Sequence, residues 1–117
     1  ISQYAKNQSD MDFLEKSINF IEKNALSCTF TIDELYAELN MSQPTFYRKL
    51  QALTNLSPSE LVRKVKMNIA CTLLLQQNMS VADVCYSLGF NTPKHFSAMF
   101  KKEIGLTPTE YIKQNLK

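Results

Sequence analysis

"SLGFNTPKHFSAMFKK", residues 87–102, decides how this chain folds. A helical pattern stops at Gly89-Phe90 and restarts within a few residues. Phe96 and Phe100 lie one helical turn apart, so they are expected to share a buried face. Lys94, His95, Ser97, Ala98 and Lys101 then point elsewhere. Gly89 can take the left-handed conformation that ends a helix at little cost. Phe90 is placed to plug the corner, and Thr92 to cap the helix that follows.

The same pattern occurs earlier in the chain. "TIDELYAELNMSQPTFYRKLQALTNLSPSEL" (31–61) lies over "SVADVCYSLGFNTPKHFSAMFKKEIGLTPTEY" (80–111). Thr31 matches Ser80, Ile32 matches Val81, Leu35 matches Val84 and Leu39 matches Leu88. After one extra residue in the second turn, Phe46 matches Phe96 and Leu50 matches Phe100. Leu56-Ser57-Pro58-Ser59-Glu60 then matches Leu106-Thr107-Pro108-Thr109-Glu110. Each copy is a short helix, a tight turn, a second helix and a capped following helix, which is the helix-turn-helix layout. In the first copy Asn40 takes the place of Gly89, Met41 that of Phe90 and Ser42 that of Thr92.

Around this repeat the chain reads as all-α. Glycine occurs only twice, and no long β-branched alternation is present. "SDMD" (9–12), "TIDE" (31–34), "SPSE" (57–60), "SVAD" (80–83) and "TPTE" (107–110) each put a hydroxyl residue three places before an acid. That spacing marks a capped helix start. Proline in "SPSE" and "TPTE" falls at the first helical position, where its missing N–H is harmless. These signals predict about seven helices, near 10–25, 31–40, 43–54, 58–77, 81–88, 93–104 and 108–115. Expected core stripes are Leu14, Ile18, Ile21 and Ala25; Ile32, Leu35, Tyr36 and Leu39; Phe46, Leu50 and Leu53; and Leu61, Val65, Ile69 and Leu73.

The expected organisation is a linker tail at 1–9 and one DNA-binding domain at 10–117. Its first helix-turn-helix unit spans about 31–54, a long linker helix about 58–77, and the second unit about 81–104. A linker helix of about 20 residues at about 1.5 Å each is roughly 30 Å long. Successive major grooves on one duplex face are about 34 Å apart. Two reading helices on such a spacer suit adjacent grooves of double-stranded DNA.

Charge supports a polyanionic partner. Residues 1–40 carry three lysines against seven acids, and residues 41–117 carry ten cations against four acids, inside a net charge of +2. The C-terminal two-thirds is therefore basic. Ser42 and Thr92 open the two reading helices, whose free N–H groups and positive dipole end suit phosphate. No apolar run approaches the roughly 18 residues of a membrane span. The three cysteines, Cys28, Cys71 and Cys85, lack paired spacing, and one histidine cannot build a ligand cluster. Reduced thiols, a cytoplasmic location, no metal and no cofactor are expected. No phosphate loop or triad is visible, so an enzyme is not expected.

"ACTLLLQQNMSVADVCYSLGFNTPKHFSAMFKKEIGLTPTEYI" (70–112) and "LNMSQPTFYRKLQALTNLSPSEL" (39–61) resemble the AraC/XylS family of bacterial transcription regulators. The resemblance covers residues 31–115, and 10–25 fit the family's extra first helix more loosely. The version here is similar to the output domain of Bacteroidetes hybrid two-component regulators. That similarity implies an upstream sensor or dimerisation part and transcription regulation at a promoter or operator. Cys85 departs from the family's usual alanine, Ile112 and Ala98 from common arginines, and Lys66 from a frequent arginine on the linker helix.

The resemblance also implies the site. On the first reading helix Pro44, Thr45, Tyr47, Arg48 and Gln51 match outward positions. Thr45, Tyr47, Arg48 and Gln51 are the expected base contacts, with Arg48 foremost because guanidinium can bond guanine O6 and N7 together. Arg48 on phosphate and Tyr47 partly packed are the alternatives. On the second helix Lys94, His95 and Ser97 match outward positions and are the further expected base contacts, with His95 on phosphate or making no contact as the alternative. Ser42, Lys49, Thr92, Lys101 and Lys102 are the expected phosphate contacts. The rival reading is a helical protein-interaction module contacting RNA polymerase or a sensor, and a polymerase contact is also compatible with DNA binding.

Overall fold

The computed structural model describes residues 8–27, 29–76 and 78–115. Cys28 and most of the expected linker tail lie outside the described residues. Seven helices and no strands occur among them: α1 Gln8–Asn24, α2 Ile32–Glu38, α3 Gln43–Thr54, α4 Pro58–Leu74, α5 Val81–Ser87, α6 Pro93–Ile104 and α7 Pro108–Asn115.

Helix starts follow local chemistry. Ser57 accepts from the Glu60 N–H at 3.2 Å, and Glu60 accepts from the Ser57 N–H at 2.9 Å. Ser80 with Asp83 and Thr107 with Glu110 form the same reciprocal pair, so each satisfies two backbone donors at once. Two expected starts differ. α1 already runs from Gln8, so Ser9 lies inside it, and the Asp12 carboxylate accepts from the Gln8 amide at 3.0 Å instead. Thr31 precedes α2, but its side chain makes no cap bond. There the Thr31 carbonyl accepts from the Glu34 N–H at 3.1 Å.

The chain forms two compact units. One holds α1, α2, α3 and α4 as far as Val65, and the other holds Ala25 and the chain from Lys66 onward. In the first, Phe13, Leu14, Ile21, Leu35, Phe46 and Leu50 are buried. The Phe46 ring lies 5.2 Å from Phe13 and 5.1 Å from Tyr36, centre to centre. These tilted contacts lock α3 against α1 and α2. Ser17 is fully buried and donates to the Phe13 carbonyl at 2.8 Å, which removes the cost of its polar group.

In the second unit, Met67, Ala70, Leu74, Val84, Cys85, Leu88, Phe96 and Phe100 form the core with Ala25. Phe96 and Phe100 are 5.8 Å apart, and Phe100 meets Tyr111 edge-on at 5.6 Å. Burial pushes the Cys71 and Cys85 thiols up, keeping them protonated. The expected α4 stripe is only half right. Leu61 and Val65 are buried, but Ile69 and Leu73 are half-buried while Met67, Ala70 and Leu74 are fully buried. A helix that serves two cores needs a different apolar set for each. No helix among the described residues is long and apolar enough to cross a membrane.

Candidate nucleic-acid interface

The repeat in sequence is a repeat in backbone. Asn40 and Gly89 both have positive φ, 52° and 87°. The Met41 N–H donates to Tyr36 O at 3.0 Å, and the Phe90 N–H donates to Cys85 O at 3.1 Å. These bonds close the two turns in the same way. A second pair, Asn55 at φ 64° and Gly105 at φ 96°, ends α3 and α6. This pair is not among the expected turns, although Asn and Gly directly before Leu-Ser-Pro and Leu-Thr-Pro are its signal in the sequence. The extra residue of the second turn is Asn91.

Both second helices start alike. The Ser42 hydroxyl accepts from the Thr45 N–H at 3.3 Å, and the Thr92 hydroxyl accepts from the His95 N–H at 3.2 Å. Proline follows within the first two positions of each. α3 and α6 also have no acid in their first turn. The other five helices all do: Asp10, Asp33 and Glu34, Glu60, Asp83, and Glu110. An acid there neutralises the helix's positive end, so α3 and α6 alone among the described helices keep that end open to an external anion.

Packing sets the outward faces. Phe46 and Leu50 on α3 are fully buried, and so are Phe96 and Phe100 on α6. Thr45, Tyr47 and Arg48 are therefore exposed, with Tyr47 46% exposed despite its large ring. Gln51 is half-buried and its amide donates to Asn55 Oδ1 at 3.0 Å. Lys49 is half-buried, its ammonium 5.1 Å from the centre of the Phe13 ring. A phosphate contact by Lys49 must be made from that position.

On α6, Lys94, His95, Ala98, Lys101 and Lys102 are exposed, while Ser97 is half-buried. The His95 ring stands edge-on to Phe90, 5.5 Å centre to centre. The corner side chain thus steers the histidine. Ser42 and Thr92 are exposed at the two helix starts. Each unit therefore gathers its own sequence-predicted residues onto one helix. The two helices differ in chemistry: α3 presents a hydroxyl, a phenol and a guanidinium, whereas α6 presents lysines and an imidazole around the small Ala98.

Residues 35–114 match the family described as the helix-turn-helix domain. Over 110 residues the chain is 29% identical to histidine kinase P4 of Formosa agariphila, covering 94% of this chain and 8% of that protein. The chain spans 8% to 28% of the length of the curated relatives it matches first. The structure of a transcriptional regulator of the AraC-type DNA-binding domain-containing proteins from Chromobacterium violaceum superposes with a TM-score of 0.85 at 22% identity. It covers 95% of this chain and 98% of that one, a likeness of fold. The DNA-binding domain of the global transcriptional factor AdpA, solved in complex with a target DNA, gives a TM-score of 0.73 at 25% identity. That match covers 86% of this chain and 90% of the other.

Proposed function

The chain belongs to the AraC-type helix-turn-helix family, and from that premise we propose that it binds double-stranded DNA sequence-specifically to regulate transcription. α3 and α6 are its reading helices and enter successive major grooves. The observation that carries this is the pair of capped, acid-free helix starts, each leading into an exposed polar face. DNA phosphates are the anions that such starts accept, and the outward side chains are long enough to meet base edges.

Arg48 is the foremost base reader, aided by Thr45 and Tyr47, with Gln51 reaching bases once it leaves Asn55. Lys94, His95 and Ser97 face bases from α6. Ser42, Lys49, Thr92, Lys101 and Lys102 hold phosphates and give affinity with salt dependence. The domain has a binding role rather than a catalytic one. We further propose that it is the cytoplasmic output domain of a hybrid two-component regulator, since the F. agariphila relative is a histidine kinase. A contact with RNA polymerase fits the same role.

The test is selection of duplexes from a random library at near-physiological salt. Two enriched blocks about one helical turn apart are expected. If the folded chain, alone and in its full-length form, enriches nothing, the protein-interaction reading replaces this one.

A further inference from the structure

Lys66 reaches from α4 to the second turn. It lies in the middle of the helix, between buried Val65 and Met67, and is itself half-buried. Its ammonium donates to the Leu88 carbonyl at 3.1 Å. Leu88 is the residue that ends α5, so its carbonyl belongs to the negative end of that helix. A Cβ placed on Gly89 would lie 3.8 Å from the same ammonium nitrogen. The cation therefore sits directly against the Leu88-Gly89 step that turns α5 into α6.

The first unit is built differently at this point. Counted back from the turn in the repeat register, the α1 residue that matches Lys66 is Ser17. Its hydroxyl bonds within its own helix, to Phe13 O. The second turn is also the longer one, with Asn91 added. A longer turn leaves more freedom in how the next helix is aimed, and an external bond at its start narrows it.

Resting on the proposed DNA reading, we infer that Lys66 is a positioning residue for the second reading helix: its ammonium fixes the end of α5 and so sets the direction in which α6 presents Lys94, His95 and Ser97. Burial lowers the pKa of Lys66, a cost of keeping an ammonium here that the hydrogen bond to Leu88 offsets. An apolar side chain would suit a position whose only task is to fill the core.

The test uses Lys66→Met, which keeps length and loses the donor, with Lys66→Gln as a milder variant and Lys66→Arg as the conservative rescue. Amide exchange is followed by NMR in the free protein at Gly89 and Phe90, with Asn40 and Met41 as internal controls. Affinity is then measured for the library-selected duplex and for versions with either block scrambled. Lys66→Met should speed exchange at Gly89 and Phe90 by about tenfold, the scale of one missing charge-assisted bond, and Lys66→Gln by less, without changing the controls. The preference for the second block should fall by a similar factor, the first-block preference should hold, and Lys66→Arg should restore both.

Unchanged exchange at Gly89 and Phe90 would overturn the inference. So would selective exchange with full second-block preference, or equal acceleration at all four amides, which would mark Lys66 as a general stabiliser. If the wild-type chain selects no duplex, the DNA reading fails on its own account. The helix-positioning role fails with it only if exchange is also unchanged.

Discussion

Asn40 and Gly89 hold the same step of two repeated turns, at φ 52° and 87°. Each is followed by a corner residue, Met41 or Phe90, whose N–H returns to the preceding helix. The left-handed region is open to glycine and strained for most other residues. Gly89→Ala should therefore lose about 1 kcal/mol in denaturant unfolding, although a methyl has room at 3.8 Å from its nearest neighbour. Asn40→Gly should change stability by no more than about 0.5 kcal/mol, because relief of left-handed strain is opposed by glycine's greater freedom in the unfolded chain.

The caps make a differential prediction. Ser57 and Thr107 each bond the N–H of the acid three residues on, while Thr31 makes no such bond. Ser57→Ala and Thr107→Ala should each cost about 1 kcal/mol. Thr31→Ala should stay within about 0.5 kcal/mol. Chemical denaturation of the three variants checks this, and equal losses would contradict it.

Acid should weaken the second unit through its caps. Hydrogen bonds from Ser80 hold the Asp83 carboxyl below its ordinary range, and those from Thr107 do the same for Glu110. A carboxylate with a depressed folded pKa contributes stability above its unfolded value, and that contribution is lost as pH falls through the folded one. Stability should thus drop below about pH 4, the ordinary range of these groups. Asp83→Asn and Glu110→Gln should each shrink the drop. Carboxyl NMR titration should show both midpoints below those of unfolded peptides.

Lys101 and Lys102 are exposed in the last turn of α6. Replacing either with alanine should weaken binding about equally on all duplexes. The slope of log affinity against log salt should fall by about 1 for each phosphate no longer held. A sequence-selective loss would assign the lysine to bases instead.

Much of this architecture was legible because its signals are local. A hydroxyl three residues before an acid, as at Ser57 and Glu60, states a helix start almost by itself. The matching Phe46 with Leu50 and Phe96 with Phe100 revealed the buried faces and hence the exposed ones. The pattern misled at Ser9, since Asp12 found a partner in Gln8 within the same helix turn. It misled again along α4, where a helix shared by two cores changes its buried set. The Lys66 bond was out of reach because it joins residues 22 apart in sequence, and only the fold brings them together. Likewise nothing local told that Lys49 would lie over Phe13, whereas the Gln51–Asn55 bond joins residues four apart and was within reach of the sequence.

Base reading by α3 is tested most directly at Arg48. Affinities of the wild type and Arg48→Ala should be measured on the selected duplex and on duplexes substituted one base pair at a time. The expected result is a loss of about 1–3 kcal/mol on the best site, with preference relaxed at one position of the first block. An equal loss on every duplex would make Arg48 a phosphate contact and contradict base reading by this helix.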